Sequence, residues 1–531
     1  MLETLVPLRL ERVVSAAAAA TASPAFTALA VTAALVLLVL RLYRQAYQKP
    51  ENFPPGPPRL PIWGSYWLML WEDYRFMHKS LLTLAERYKT KVLGFYLGDF
   101  PCVMLKDYED IKEMQSRSDL IGRADVIVAR ERSLGQRNGV IFSDGPQWSE
   151  LRRFLLRHIR DFGWGRRFPA TEEIMQQELA DATALLRGEW DDEEVKRGDR
   201  VLISHMFPPY AMNAMWAMFG HARLPRGQHA PWHRIHRSVN KFFRATDPSG
   251  SAVSLTPWLR FLTPRRFGLQ DVTDFNVPIR DFVQRAIREH REALDVGSEA
   301  RDFLDKFLQR QKEAEAGAEG NPVFTDEQLL LTGVDMLTAS SGALSGSIAF
   351  LWQQLLHHPE VQARVQAEVD AVVGRSRVPT LDDRVNMPYS EATVRESMRR
   401  VTMAPLSIAH VALEDTTIGG YSIPKGTLLY PHLHAIHMDP EIWGDPENFR
   451  PERFLEADGS LKKKDITFPF GGGKRLCLGE TYSRHLMFLI LTHVLQNFTL
   501  LPTGPLPPVD HALHGFALVP DELWARVVPR P

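Results

Sequence analysis

Cysteine is scarce in this chain: there are two, Cys102 and Cys477, among 531 residues. Two cysteines cannot form the disulfide framework of a small secreted protein, and such scarcity is typical of a reducing compartment. Excess charge is missing as well, because 63 basic side chains stand against 64 acidic ones and leave a net charge of −1. Without a basic excess there is no electrostatic signal for nucleic acid, so we expect no nucleic-acid partner.

A dinucleotide-binding loop is also missing. The glycines at 471–473 stand next to one another, and they lack the strand, the G-x-G-x-x-G spacing and the helix that together cradle a pyrophosphate. We therefore expect no dinucleotide-binding site in this chain. The apolar content of 44% is ample for a large core.

Near the N-terminus lies a long run without charge. Residues 13–40 carry no charged side chain, and Ala25–Leu40 is almost wholly apolar. A membrane-spanning helix needs ~20 apolar residues, a length that the run reaches when Ala16–Thr21 is added. A signal peptide, a mitochondrial transit peptide and an anchor helix are the three interpretations. A transit peptide would be amphipathic, and a signal peptide would send a reactive thiol to an oxidising lumen, so we favour the anchor.

Basic residues flank this run unequally. Arg41, Arg44 and Lys49 follow it, whereas Arg9 and Arg12 precede it. The positive-inside rule assigns the more basic flank to the cytosol. We therefore expect the rest of the chain on the cytosolic side.

The second cysteine lies in the stretch Phe468-Pro-Phe-Gly-Gly-Gly-Lys-Arg-Leu-Cys-Leu-Gly-Glu480, here called the cysteine loop. Glycines permit tight turns and close approach of the backbone to a flat ligand. Apolar residues at helical spacing begin after Gly479, so we expect Cys477 just before a helix. The helix dipole, Lys474 and Arg475 favour thiolate over thiol. Such a thiolate suits an axial ligand to haem iron; the alternative is a structural cysteine in a glycine-rich turn.

The full pattern Phe470-x-x-Gly473-x-Arg475-x-Cys477-x-Gly479 resembles the haem loop of the cytochrome P450 family. The resemblance covers the chain from about residue 50 to its end, and it is greatest to the membrane-bound animal type, including insect members. It implies a mostly α-helical fold with small β-sheets, formed as one large haem-binding domain after an N-terminal anchor helix. It also implies haem b, ligated by Cys477, with Arg475 as a further cofactor contact.

The segment between the apolar run and this domain is rich in proline. Phe53-Pro-Pro-Gly-Pro-Pro58 cannot be a helix, because proline fixes φ and removes backbone donors. The alternative is an ordinary linker, but in the family such a segment orients the catalytic body against the membrane. We therefore expect a membrane anchor over 1–48, a hinge over 49–65 and the catalytic domain over 66–531. The implied location is the endoplasmic reticulum membrane, with the catalytic domain facing the cytosol.

Besides Arg475, four residues resemble the family's contacts to the haem propionates. Trp148 and Arg152 are four residues apart, hence on one helix face, where an indole N–H and a guanidinium would form a donor pair for a carboxylate. Most such pairs are surface packing, and the role comes from the resemblance. Arg123 and His410 resemble further propionate contacts.

Residues 322–358 are predicted to form one long helix, with Thr325 as its N-cap. In the family the centre of this helix carries an acid followed by threonine, which help to deliver protons to bound oxygen. Gly342 and Ala343 stand at those positions here. Neither side chain can carry a proton.

Two explanations of this replacement stay open. Ser340 and Ser347 lie three residues before and four residues after Ala343, on its helix face, so a serine, the substrate or water can serve the relay. Alternatively, the enzyme rearranges a peroxide or otherwise needs no activation of O2.

A structural triad is implied by a third motif. Glu396 and Arg399 are three residues apart, a spacing that is also common for surface pairs worth less than ~1 kcal/mol. Here they resemble the family's E-x-x-R, which joins the arginine of Pro451-Glu-Arg453-Phe454 in a buried triad. Breaking a buried pair leaves an unpaired charge and costs ~3–5 kcal/mol.

The predicted function is therefore that of a haem-thiolate monooxygenase, which inserts one oxygen atom from O2 into an apolar organic substrate. The implied partners are a small lipophilic substrate, membrane lipid and NADPH–cytochrome P450 reductase, with cytochrome b5 as an optional second donor. Lys462-Lys-Lys464 lies on the face that meets the acidic electron donor in the family. The alternatives are a haem-thiolate isomerase or dehydratase that needs no reductase, and a non-catalytic haem carrier or sensor.

Overall fold

The computed structural model describes residues 24–161, 167–220, 223–249, 251–262, 268–295, 297–316, 323–509 and 511–531. The first part of the predicted anchor, with Arg9, Arg12 and Ala16–Thr21, lies outside the described residues. The described chain is mostly helical with small sheets, as the resemblance implied.

The helices follow one another closely along the chain. They are α1 (Pro24–Tyr47), α2 (Tyr66–Glu72), α3 (Met77–Arg87), α4 (Tyr108–Ser116), α5 (Ile127–Arg132), α6 (Gly145–Asp161), α7 (Pro169–Arg187), α8 (Ile203–Met206), α9 (Pro208–Gly220), α10 (Ala230–Ala245), α11 (Ser251–Leu255), α12 (Leu259–Leu262), α13 (Leu269–Asp274), α14 (Asn276–Ala293), α15 (Phe303–Ala316), α16 (Asp326–Thr338), α17 (Ser345–His357), α18 (Pro359–Val372), α19 (Pro388–Arg400), α20 (Leu433–His437), α21 (Pro440–Trp443) and α22 (Glu480–Asn497). A π-helical segment, Ala339–Leu344, joins α16 to α17, and 3₁₀ turns occupy Asp383–Asn386, Pro451–Phe454 and Gly473–Arg475.

The strands form three small sheets. They are β1 (Val92–Leu97), β2 (Phe100–Leu105), β3 (Gly122–Arg123), β4 (Lys196–Arg197), β5 (Arg200–Leu202), β6 (His410–Val411), β7 (Thr416–Ile418), β8 (Tyr421–Ile423), β9 (Leu428–Pro431), β10 (Phe498–Pro502) and β11 (Trp524–Pro529). The sheet orders are β1-β2-β9-β6-β3, β10-β11-β5-β4 and β7-β8. In the first sheet β2 and β9 are parallel, and β3 pairs with β6 so that Arg123 lies opposite His410.

The apolar core is densest around α22, which is buried on every side. Leu486–Leu491 are each at most 1% exposed, and a helix that is apolar all round belongs in an interior. It packs against α7, α18 and α19. Because α22 begins at Glu480, the core holds the end of the cysteine loop in place.

The helix that contains the π segment also crosses the core. The hydroxyl of Thr325 caps α16 by accepting from the backbone N–H of Gln328, as predicted. The single long helix that the sequence predicted is interrupted, however, because residues 339–344 adopt i→i+5 pairing. The π segment packs against α9 and α10, and such π segments are frequent at functional sites. We call α16, the π segment and α17 together the oxygen-side helix.

The N-terminal helix α1 is unlike the rest of the molecule. Its window Thr27–Arg44 has a mean hydropathy of 1.7, and none of it is buried. The other helix of comparable length and hydropathy, residues 326–357, is 83% buried and is a core helix. By length and composition, α1 is able to cross a membrane.

The proline-rich segment lies along the edge of the first sheet. The backbone N–H of Gly94 in β1 donates to the carbonyl of Pro55 at 2.8 Å. A Cβ atom on Gly56 would lie 2.1 Å from the Gly94 carbonyl oxygen, so this close approach requires glycine. The segment between α1 and α2 is therefore both stiff in itself and fastened to the sheet.

Candidate functional site

A cavity of about 330 Å³ separates the oxygen-side helix from the cysteine loop. Ala339, Ser340 and Ala343 line one wall, and Phe470 and Cys477 line the opposite wall. The fold thus brings the two most informative segments of the sequence, more than a hundred residues apart, to one cavity.

The shape of the cysteine loop depends on its glycines. Gly473 has φ +59° and opens the 3₁₀ turn, and a Cβ there would lie 1.7 Å from the carbonyl oxygen of Gln115. A Cβ on Gly472 would lie 2.3 Å from Oε1 of the same glutamine. The close approach at these two positions is therefore to the end of α4 and not to a ligand. Gly471 has φ +68° and open space beside it.

The sulfur of Cys477 lies deep in the molecule, yet it faces the cavity and is accessible there. The backbone N–H of Cys477 donates to the carbonyl of Phe470 at 3.0 Å, which orients the side chain. Burial raises the pKa of the Cys477 thiol, although the backbone N–H of Gly479 and the charge of Arg152 act to lower it. The protein groups alone favour the thiol, and a metal cation at the sulfur would favour the thiolate.

This corrects the expected source of positive charge. Arg152, on α6, is the cation that acts on the Cys477 sulfur. The guanidinium of Arg475 is turned away onto the ring of Trp148, 3.6 Å from its centroid. Lys474 is exposed. Sequence neighbours on a turn need not point the same way, and here the 3₁₀ turn directs the two basic side chains elsewhere.

Within the described parts of the chain Arg475 forms no ion pair, although the charge of Asp144 acts on it from a distance. Its Nε donates to the carbonyl of Ile121 and its Nη2 to that of Ser143, both at 2.9 Å. Its buried Nη1 has no hydrogen-bond partner within the described parts of the chain. Burial, and next the charge of Arg123, lower the pKa of Arg475 to about 8.

Two more arginines reach the same cavity. Burial, followed by the charge of Arg152, lowers the pKa of Arg123 to about 9, and Nη1 of Arg123 donates to the carbonyl of Ala409 at 3.2 Å. Burial also lowers the pKa of Arg152, whose Nη2 donates to the carbonyl of Leu476. Three guanidinium groups with lowered pKa values around one cavity indicate a site that is completed by an anionic ligand.

Trp148 has a different position from the one expected. Its indole N–H donates to the carbonyl of Val140 at 3.1 Å, within the protein. The predicted pair of donors is therefore reduced to Arg152, and Trp148 supplies its ring face to Arg475 and, at 5.8 Å, to Arg152. Such stacking suits an arginine that is fixed in a low-dielectric site.

His410 lines the cavity as a neutral ring. Its Nδ1 lies 2.7 Å from the carbonyl oxygen of Leu120, which can only accept, so Nδ1 carries the hydrogen. Burial, and then the charge of Arg123, hold the pKa of His410 well below its usual value. Nε2 is thus an acceptor, and a propionate contact requires that the incoming carboxylate raise this pKa.

These features fit a thiolate-ligated haem. The cavity presents one sulfur, an arginine N–H without a partner among the described residues and a cluster of cations without enough anions. The two propionates of haem match the missing negative charge, and the sulfur matches the axial ligand.

The two replaced positions on the oxygen-side helix point in different directions. A Cβ on Gly342 would lie 2.5 Å from Cε2 of Phe243 on α10, so this position faces the protein interior. Ala343 lines the cavity, as do Ser340 and Ser347. The serine hydroxyls donate to carbonyls of their own helix, from Ser340 to Met336 at 3.1 Å and from Ser347 to Ala343 at 3.0 Å.

The three residues of the implied triad lie together in the core, outside the cavity. Nε of Arg399 lies 2.7 Å from Oε2 of Glu396, and Nε of Arg453 lies 3.2 Å from Oε1. All three side chains are at most 3% exposed. Arg399 also donates to the carbonyl of His437, at 2.6 Å, and His437 is a residue that the sequence motifs did not reveal.

Comparison with known proteins agrees with this geometry. Residues 54–524 match the family model described as Cytochrome P450. The chain is 33% identical over 487 residues to farnesoate epoxidase from Bombyx mori, covering 90% of this chain and 94% of that protein. It is 32% identical over 476 residues to probable cytochrome P450 303a1 from Drosophila melanogaster (88% and 92% covered). It is 31% identical over 493 residues to cytochrome P450 2E1 from Oryctolagus cuniculus (90% and 94%).

Proposed function

The chain belongs to the cytochrome P450 family, whose members are haem-thiolate monooxygenases, and from this premise we propose that it inserts one oxygen atom from O2 into a lipophilic substrate held beside the π segment. The observation that carries the proposal is the sulfur of Cys477 facing a cavity that four arginines also line, three of which (Arg123, Arg152 and Arg475) have lowered pKa values. Haem b, bound through this sulfur, supplies the iron at which O2 is activated.

The residues around the cavity hold and orient the cofactor. Cys477 is the axial ligand, fixed by its N–H bond to Phe470. Arg123, Arg152 and Arg475 bind the propionates, and their lowered pKa values support this role because a carboxylate restores the charge balance.

The proton needed for oxygen activation passes through Ser340 in this proposal. Its hydroxyl lines the cavity and is anchored to the helix carbonyls of Met336 and Leu337, so it can release a proton toward the cavity and regain one from water. Ala343, at the position of the family alcohol, has no hydroxyl.

Electrons reach the site from NADPH–cytochrome P450 reductase, with cytochrome b5 as an optional second donor. The exposed Lys463 and Lys464, before the cysteine loop, support docking of an acidic partner. The exposed apolar helix α1 supports an anchor in the endoplasmic reticulum membrane, with the catalytic domain in the cytosol.

The first substrate to test is farnesoate, because a relative at 33% identity is named farnesoate epoxidase. Purified enzyme, reductase and NADPH are incubated with farnesoate under ¹⁸O2. The proposal expects a product with one ¹⁸O atom that requires NADPH and reductase. If no tested lipophilic compound is turned over while haem and ligand bind, the chain is a carrier or sensor and the proposal fails.

A second function is favoured by one observation: neither Gly342 nor Ala343 offers a group that can carry a proton. A haem-thiolate isomerase or dehydratase needs no such relay. Its test is a hydroperoxide substrate without reductase. Rearrangement that proceeds at full rate without NADPH, together with no ¹⁸O incorporation from O2, would replace the monooxygenase proposal.

A further inference from the structure

One buried cation in the cavity is not used by the proposed haem contacts. Arg132, the last residue of α5, is 1% exposed and lines the cavity together with Asp335 of α16. Its Nη2 lies 2.5 Å from Oδ1 of Asp335, and Asp335 is itself fully buried. An ion pair inside a substrate cavity is expensive to bury, so its retention calls for a physical reason.

The two partners of this pair are not equally satisfied. Oδ2 of Asp335 accepts the backbone N–H groups of Val140, at 2.6 Å, and Ile141, at 3.1 Å. Arg132 is close to Asp335, but the geometry leaves Nε, Nη1 and Nη2 without a hydrogen-bond acceptor among the described residues. Its guanidinium otherwise lies 5.1 Å from the ring centroid of Phe142.

Buried guanidinium N–H groups without acceptors are rare, because each loses its hydration without replacement. A guanidinium fork matches the two oxygens of a carboxylate. The other arginines of the cavity, Arg123, Arg152 and Arg475, are accounted for by the two propionates. Arg132 is therefore the cation that is left for a ligand.

The position of Arg132 along the cavity defines the orientation of such a ligand. Asp335, its partner, and Ala343, at the family's oxygen-side position, are eight residues apart and both line the cavity. Eight residues of helix, part of them π-helical, separate the two by on the order of 10 Å along the axis. A head group at Arg132 would thus place the reacting carbon near the far end of an extended lipophilic chain.

We propose that Arg132 binds the carboxylate head group of a lipophilic acid and so selects the substrate class of this enzyme. The inference rests on the proposed function and adds to it the polar end of the substrate. The relative named farnesoate epoxidase is consistent with a substrate of this chemistry, since an -oate is a carboxylate or its ester.

The test measures dissociation constants by the spectral shift of the haem-loaded enzyme, which needs no turnover. The probes are farnesoate, its methyl ester and the parent hydrocarbon farnesene. Wild-type enzyme is expected to bind the acid at least about tenfold more tightly than the ester, since hydrogen bonds to a charged group exceed neutral ones by that order. Equal affinity for acid and ester, or tighter binding of the ester, overturns the proposal without touching the haem assignment.

Three variants separate binding from structural support. Arg132→Gln is expected to raise the dissociation constant of farnesoate at least about tenfold. The dissociation constant of the methyl ester should stay within about twofold of the wild-type value. Asp335→Asn keeps an oxygen for the two backbone N–H groups and removes the competing charge, so the acid binds more tightly. Arg130→Gln is the matched control, because Arg130 lies in the same helix and pairs with Asp125 at the surface. It should leave the dissociation constants of all three probes unchanged.

The pattern of losses decides between the two roles of Arg132. If Arg132→Gln weakens the binding of all three probes equally, the arginine supports the fold of the cavity and the proposal is wrong. If this variant does not fold, Arg132→Lys and the wild-type preference for acid over ester give the answer. A chain that takes up no haem at all refutes the proposed function itself, which is a distinct result.

Discussion

Nε2 of His437 accepts a hydrogen bond from the backbone N–H of Phe468, at 3.2 Å. Burial, and then the charge of Arg399, lower the pKa of His437 to about 3, so the ring is neutral and its hydrogen is on Nδ1, 2.7 Å from Oγ1 of Thr402. The carbonyl of the same histidine accepts from Arg399. One buried residue therefore joins the Glu396–Arg399 pair to the first residue of the cysteine loop.

This link predicts that His437→Ala loosens the cysteine loop. The partly buried backbone N–H of Phe468 loses its acceptor, which costs ~1 kcal/mol of unfolding free energy. We expect faster haem loss in parallel, measured by transfer of haem to an excess of an apo acceptor protein. His437→Gln places an amide oxygen near the position of Nε2. It should therefore restore part of the unfolding free energy and part of the slow rate of haem loss. His511→Ala, at an exposed pair with Asp521, changes neither; equal effects of the two alanine variants would contradict the link.

Replacing each of the two cysteines by serine should have contrasting effects on the carbon-monoxide absorption. Cys477→Ser is expected to abolish the absorption of the reduced carbon-monoxide complex that is typical of thiolate ligation, because a serine oxygen replaces the sulfur in the cavity. Cys102→Ser is the matched control: Cys102 is a fully buried residue of β2, and its loss lowers stability while the absorption persists. An unchanged band in Cys477→Ser would place the iron ligand elsewhere.

The buried triad predicts a stability effect that surface pairs do not show. Glu396→Gln leaves Arg399 and Arg453 without the carboxylate that both contact, so we expect a loss of ~3–5 kcal/mol in chemical denaturation. Glu313→Gln breaks the pair with Arg310, where both side chains are largely exposed, and is expected to change stability by less than ~1 kcal/mol. Similar losses in the two variants would show that the triad stabilises the fold no more than a surface ion pair does.

The parts of the fold that local chemistry determines were predictable. Alternating residues on either side of Gly98-Asp99 predict a hairpin, and β1 and β2 pair there with Val92 opposite Leu105. The N-cap at Thr325 and the start of α22 after Gly479 also follow from residues within one helical turn. The cysteine loop was recognisable because its residues are contiguous.

The features that the sequence did not reveal depend on distant contacts. The indole N–H of Trp148 is taken by a backbone carbonyl, and no side-chain pattern records that. The acceptor role of His437 arises from Phe468, which follows it by 31 residues. Asp335 belongs to none of the sequence motifs, and its ion pair with Arg132 spans about two hundred residues of chain. A signal was present in the last case, since an acid in an apolar helix calls for a partner.

Gly342 and Ala343 are neighbours in the chain that face different surroundings, and this predicts opposite outcomes of restoring the family pair. Gly342→Glu puts a carboxylate against Phe243 and Val239, where even a Cβ would lie 2.5 Å from a ring carbon. Overpacking alone costs ~1–3 kcal/mol, and desolvation of the charge adds to it. We expect this variant to be strongly destabilised in thermal unfolding.

Ala343→Thr adds its hydroxyl on the cavity side, so the fold should tolerate it. If Ser340 is a weak proton donor, the added hydroxyl raises the fraction of NADPH consumption that yields product, and Ser340→Ala lowers that fraction in wild type but not in Ala343→Thr. Coupling that stays constant in all three variants would mean that neither hydroxyl carries the proton. The oxygen-side helix would then have to deliver protons through water alone, and the loss of the acid–alcohol pair would favour the rearrangement chemistry over oxygen insertion.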